Sequence, residues 1–316
     1  LAQQTPAPTL QERMGHPATA RLLILHADDV GMSRSVNRAT LEALEKDWVT
    51  SASVLVACPW FPEVARWAKE HPDADLGIHL ALNSEWTGFR WGPVSRATLV
   101  PTLLDAQGYL PLTSEEVMEK AAPSDVEQEL RAQIEKARAF GVNITHLDSH
   151  MGTLFRTSSL FDVYLRLGQA YRLPQLISQG SRTGTSSLGL VPAGGSSPES
   201  PTVDQVLEIR PGVPREKWVD TYKDMLRPLP PGVYQLILHT AYDDEEMRGA
   251  TWDHPDWGAA WRQNDFDMVK SPEFQKFLRD EGFILVKWKD IGRALQAPSA
   301  PAASGSPAMN TSTNKK

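Results

Sequence analysis

Asp28 and Asp29 stand side by side where the apolar stretch RLLILHA ends, in HADDVGMS, with Gly31 close behind. Two carboxylates at that spacing repel, and they tend to share a proton unless a cation offsets their charge. By themselves they read more readily as acids that start a loop or cap a helix beginning near Ser33. Other residues change that reading. His79 in GIHLAL, and His146 and His150 in THLDSH, end two further apolar stretches. Neutral imidazoles with one carboxylate make a ligand set that leaves positions open for water and substrate, as in catalytic zinc and iron sites. One of His146 and His150 suffices for such a set. Asp148, between them, reads as an acid that orients an imidazole from behind and fixes its tautomer. His239 in YQLILHTAYDD ends one more apolar stretch, and a histidine there can return a proton to a departing amine near neutral pH.

These residues need elements that bring them to one place. Short apolar stretches alternate with helical patterns: RLLILHA, SVNRATLEALEKDW, TSASVLVAC, FPEVARWAKEHP and DLGIHLAL, in that order. Further on, SDVEQELRAQIEKARAFG precedes NITHLDSH, a helix is expected from about Ser158 to Ala170, and SPEFQKFLRDEG precedes FILVKWKD. Alternation of this kind implies a mostly parallel sheet with helices outside. The polar residues fall at the C-terminal ends of several different strands, which is where (β/α) barrels carry their chemistry. The expected fold class is therefore α/β, a distorted (β/α) barrel of mostly parallel strands with outer helices. An open doubly wound sheet is the alternative.

The expected organisation is a disordered N-terminal segment at 1–19, one catalytic domain at 20–296, and a disordered tail at 297–316. The tail, APSAPAASGSPAMNTSTNKK, has no hydrophobic period with which to offset the entropy of ordering. The stretch from Ser178 to Pro201 is also of low complexity and reads as a long flexible loop. The polar, proline-containing start LAQQTPAPTLQERMGHPA reads like the region after a processed export signal, which points to a periplasmic or secreted protein, with the cytoplasm as the alternative.

The formal net charge of -7 makes nucleic acid an unsuitable partner, because such a chain repels polyanions. No apolar run approaches the roughly 20 residues that span a bilayer. A single cysteine, Cys58, excludes an intrachain disulfide framework and a thiolate metal cluster, and its setting in SVLVACPWF is that of a buried residue.

The segments HADDVGMSRSVNRA, GIHLALNSEW, THLDSHMGTLF and LILHTA, taken in order, resemble the YdjC-like, or chitooligosaccharide deacetylase-like, carbohydrate deacetylases. VPTLLDAQGYL and SPEFQKFLRDEGFILVKWKDI extend the resemblance, which runs from Arg21 to Leu295. It implies a distorted (β/α) barrel in which Asp28 is the general base and Asp29, His79 and His150 hold a divalent metal, magnesium or zinc. It also implies that His239 is the late catalytic histidine. Two departures stand out: the chain reads MGTLF where the family often carries further histidines, and Thr240 follows His239 where the family commonly has proline.

The activity this implies is removal of an N-acetyl group from an amino sugar or short oligosaccharide by a metal-bound water. Trp86 and Trp91 in NSEWTGFRWGP suit stacking on sugar faces, and Trp252, Trp257 and Trp261 with His254 form a second aromatic group of the same kind. The competing readings are another metal-dependent barrel hydrolase of phosphoesterase type and a non-catalytic carbohydrate-binding protein.

Overall fold

The computed structural model describes residues 8–178 and 203–296. The expected loop beyond Ser178 and the tail at 297–316 lie outside the described residues. Among the described residues seven strands form one sheet: β1 (Arg21–Val30), β2 (Ser51–Val54), β3 (Leu76–Leu80), β4 (Ile144–Ser149), β5 (Gln205–Leu207), β6 (Gly232–Leu238) and β7 (Phe283–Leu285). All strand pairs are parallel, in the order β4–β3–β2–β1–β6–β5. β7 pairs with the first three residues of β1, and β2 pairs with its far end from His26 onward. Two isolated parallel bridges, Leu147 with Gln175 and Ser178 with Val203, connect the β4 and β5 sides. The sheet thus curls into the distorted (β/α) barrel that the alternating pattern predicts.

Among the described residues the α-helices are α1 (Leu10–Arg13), α2 (Arg34–Glu45), α3 (Phe61–Glu70), α4 (Ser114–Lys120), α5 (Pro123–Ala139), α6 (Ser158–Tyr171), α7 (Trp218–Leu226), α8 (Glu245–Ala250), α9 (Ala259–Val269), α10 (Pro272–Asp280) and α11 (Trp288–Gln296). Their local logic is legible. Ser33 caps α2 by accepting from the Val36 amide, and Thr157 caps α6 by accepting from Leu160. α5 starts with proline at its first turn and buries Val126, Leu130, Ile134 and Ala137, one stripe at helical spacing.

Strand alternation separates two cores. On β1, Leu23, Leu25 and Ala27 face the helices and join the main apolar cluster. Leu22 and Ile24 face the barrel interior with Val206, Val233 and Ile237, and fully buried Trp288 of α11 closes the bottom. Above this plug the interior turns polar: His26, Ser51, His146 and Asp148 are all buried.

The start of the chain differs from expectation. Residues 8–19 were expected outside the fold, yet α1 docks there. Thr9 and Glu12 form a capping box, and Leu10 and Met14 pack on the interior cluster. Arg13 Nη2 donates to the Ala294 carbonyl at 3.0 Å. One helical turn is too short to show a hydrophobic period, so the pattern carried no sign of it.

Candidate metal and catalytic site

β1 does not end at Ala27 but runs on to Val30, and its register against β2 shifts between Ala27 and Val30. Asp29 sits in this irregularity with φ +68, a left-handed conformation that aspartate adopts more readily than most residues. The bulge lets adjacent carboxylates, which regular strand alternation would send to opposite faces, face one cavity. Gly31 follows at φ +96, close to the Leu55 carbonyl, where an added Cβ would approach to 3.0 Å. That close approach carries the chain into the α2 cap.

Asp29 Oδ1 lies 3.5 Å from His79 Nε2 and 3.3 Å from His150 Nδ1. The three donor atoms lie within 4.8 Å of one another. Asp29 Oδ1 is buried and has no hydrogen-bond partner, whereas Oδ2 accepts from Arg262 Nη1 at 2.8 Å. A buried carboxylate oxygen left without a donor, with two imidazole nitrogens turned to it, is the arrangement a divalent cation satisfies. The donor set fits a metal.

Each imidazole is held from its other side. His79 Nδ1 bonds Asp148 Oδ1 at 2.7 Å, and His150 Nε2 bonds Glu85 Oε2 at 2.9 Å. These acids fix the tautomers and leave His79 Nε2 and His150 Nδ1 facing Asp29. Burial works against charge on both rings, yet the carboxylates win. Asp148 and Asp28 raise the pKa of His79, and Glu85 and Asp29 push that of His150 up to about 10. Burial likewise opposes charge on Asp29, but Arg262 and His150 hold its carboxyl well below the usual range. The pocket is built to attract positive charge.

His150 begins the short helical turn His150–Phe155, inside which Met151 (φ +52) and Gly152 (φ +62) are left-handed. His146 lies one layer deeper, stacked on Trp288 with ring centroids 5.0 Å apart. Of the two histidines left open by spacing, the structure brings His150 to Asp29. Asp148 takes the orienting position expected of it.

Asp28 faces the same cavity. Its Oδ1 is 3.2 Å from His26 Nε2, and its Oδ2 is 3.9 Å from His239 Nε2. The His239 ring packs on Trp261, with Nδ1 3.9 Å from Glu208 Oε1, and its backbone amide donates to Asp265 Oδ2 at 2.8 Å. Burial drives the His239 pKa down to about 4, so this ring is neutral at pH 7. Burial also pushes Glu208 up to about 7.

These residues line a cavity of about 700 Å³, whose wall includes Trp86, Leu112, Met151, Ile237 and Trp257. Trp86, expected as a sugar contact, is part of that wall but is only 2% exposed, so it offers little open face for stacking. Trp91 is not part of the wall: it is 3% exposed and packs behind His150, with ring centroids 6.0 Å apart. The expectation of substrate stacking at Trp91 is therefore corrected to support of the His150 ring. In the second aromatic group, Trp257 and His254 reach the wall, while Trp261 backs His239.

Sequence reasoning missed Arg262, Glu85, Glu208 and His26. Arg262 is 233 positions from the Asp29 it pairs with, and α9 carries no local signature of that role. Glu85 was within reach, since it lies in NSEW directly after the His79 strand. His26 is two residues before Asp28, so strand alternation alone places it on the same interior face.

The family model described as YdjC-like protein matches residues 22–280. A carbohydrate deacetylase of Thermus thermophilus is 34% identical over 296 residues, covering 90% of this chain and 99% of that protein. A carbohydrate deacetylase of Brevibacillus brevis is 29% identical over 273 residues, covering 85% and 99%. A crystal structure of an Enterococcus faecalis protein, whose description names cellobiose-phosphate cleavage, superposes with a TM-score of 0.70 at 23% identity. It covers 86% of this chain and 99% of that one, and speaks to the fold.

Proposed function

The chain belongs to the YdjC-like protein family, and from that premise we propose that it is a metal-dependent carbohydrate N-deacetylase, acting on an N-acetylated amino sugar or a short oligosaccharide of them. The observation that carries the reading is the unpartnered Asp29 Oδ1, faced by His79 and His150 on a cavity that also holds Asp28.

Asp29, His79 and His150 would hold a divalent cation, which when bound acts as a Lewis acid towards the acetamide oxygen and lowers the pKa of water. Two nitrogens and one oxygen lean towards zinc or another transition ion over magnesium. Asp28 is the general base. Its carboxylate is held by His26 Nε2 on one side, and it removes a proton from the water that attacks the acetamide carbonyl. His239, neutral in the resting site, lies 3.9 Å from Asp28 Oδ2. It takes up that proton and delivers it to the nitrogen as the C–N bond breaks, giving acetic acid, which ionises to acetate on release, and a free amine. One proton thus moves from water to amine, and the site returns to its starting charge. Trp257 supplies apolar surface for a sugar face, and Trp86, 2% exposed, backs the cavity wall behind Arg262 and His254.

The test is acetate release from N-acetylated sugars and chitooligosaccharides by protein stripped of metal and resupplied with individual divalent ions. Release restored by zinc or magnesium, and absent in His79→Ala, supports the reading. Phosphatase activity without acetate release would replace it with the phosphoesterase alternative, and saccharide binding without turnover under any ion would replace it with a binding protein.

A further inference from the structure

Trp252 is 66% exposed, the most exposed large apolar side chain among the described residues. It is not a loose surface residue. Its indole lies against Gly88, where an added Cβ would come within 2.6 Å of Nε1. Next to it, the Thr87 amide donates to Asp253 Oδ2 at 2.8 Å. The two loops are thus tied together beside the indole, and each sends its neighbouring residue to the cavity. Thr87 and His254 both line the wall, and the His254 ring meets Trp86 edge-on with centroids 5.8 Å apart. The indole is thus seated on Gly88, in a loop tied to its neighbour by the Thr87–Asp253 hydrogen bond, with two thirds of its surface in water. It is surface prepared for a ligand.

We propose that Trp252 is the platform of an outer saccharide subsite, continuous with the cavity through Thr87 and His254, so that the enzyme takes an oligosaccharide in preference to the monosaccharide. Pyranose rings present C–H faces that stack on an indole without any requirement for charge. The Trp252 platform is outside the cavity wall, so a sugar filling the cavity reaches it only through a further linked unit. The identity of the ligand rests on the deacetylase reading, whereas the platform itself rests on the loop geometry.

The experiment compares N-acetylglucosamine with the fully N-acetylated tetrasaccharide of chitin on wild type, Trp252→Ala and Gly88→Ala. Gly88 has no positive φ, so alanine suits its backbone while displacing the indole. Both variants are expected to lose about five- to tenfold in kcat/KM for the tetrasaccharide and to stay within about twofold of wild type for the monosaccharide. Calorimetric binding to metal-stripped protein is run in parallel, with the same ratio expected in Kd. Equal losses on both sugars, or none on the tetrasaccharide, overturn the proposal. A change of oligomeric state in Trp252→Ala with unchanged saccharide binding overturns it in favour of a contact between copies. If the wild type releases no acetate from either sugar, the deacetylase reading fails, while the binding ratio still decides the platform.

Discussion

Two clusters of histidine and aspartate lie one above the other in the barrel interior, alike in composition and opposite in character. The upper one, Asp29 with His79 and His150, opens on the cavity and leaves Asp29 Oδ1 without a partner. The lower one, His26 and His146 with Asp148, is sealed beneath it. There His26 Nδ1 meets Ser51 Oγ at 3.0 Å, and its Nε2 is shared between Asp148 Oδ2 at 3.0 Å and Asp28 Oδ1 at 3.2 Å. Ser51 passes the chain to Asp75 Oδ1 at 2.7 Å, and Thr145 Oγ1 joins Asp75 at 3.1 Å and His146 Nδ1 at 2.9 Å. The remaining His146 nitrogen lies over Gly77, where a Cβ would approach to 2.4 Å. Residue types do not separate a reactive cluster from a structural one. Access does, since His146 Nε2 in the lower cluster is as unpartnered as Asp29 Oδ1 in the upper one but has no path to the cavity.

The comparison is most sharply broken at the acid above both clusters. Asp28→Asn is expected to lower kcat by about 10²- to 10⁴-fold with metal content unchanged, read by acetate release and metal analysis on the same sample. Loss of the metal instead would make Asp28 a ligand and redraw the upper cluster. Next in size is Asp148, the residue the clusters share. Asp148→Asn removes the acceptor that holds both His79 and His26, and metal affinity is expected to fall about 10- to 100-fold in a chelator competition.

A lesion confined to the lower layer should behave differently. Gly77→Ala drives a methyl into the His146 ring, so denaturant unfolding is expected to show a loss of about 1–3 kcal/mol while kcat of the folded fraction stays within about twofold. A collapse of kcat at full folding would join the two clusters into one machine. The smallest effect concerns pH. Burial disfavours charge on His26, but Asp148 and Asp28 overcome it and raise its pKa from 6.5 to about 9. A pKa raised by folding stabilises the protein fully below 6.5, and that contribution is lost as pH rises through 9. Metal-stripped wild type should therefore melt about 2–4 °C lower at the alkaline end, with the slope absent in His26→Gln. A slope that survives in His26→Gln assigns the titration to another group.

How much of this was legible in the sequence follows from the range of the interactions involved. The strand–helix alternation and the convergence of Asp29, His79 and His150 were readable, because each sits at the end of its own apolar stretch. The barrel's lower layer was half readable: alternation aligns His26 with Asp28, but only the folded register shows Ser51 and Asp75 beneath them. Arg262 and Glu208 were not readable, since each reaches the cavity through packing between distant segments with no periodic trace. Trp91 was misread because an aromatic residue in a polar loop looks like a sugar contact until its burial behind His150 is seen. The short helix Leu10–Arg13 was missed because a capping box in a single turn resembles any polar tail.

β1 is hydrogen-bonded along both edges, to β6 on one side and to β7 and then β2 on the other, and its last turn of chain before Val30 carries Asp28 and Asp29. In a random mutagenesis library this strand would act as a lever. A lesion at Leu23 or Leu25, which touches the helices and never the substrate, would score alongside lesions of Asp28, because the same backbone that anchors the scaffold aims the carboxylates. Separating fold defects from chemical defects along this strand requires a folding assay beside every activity assay.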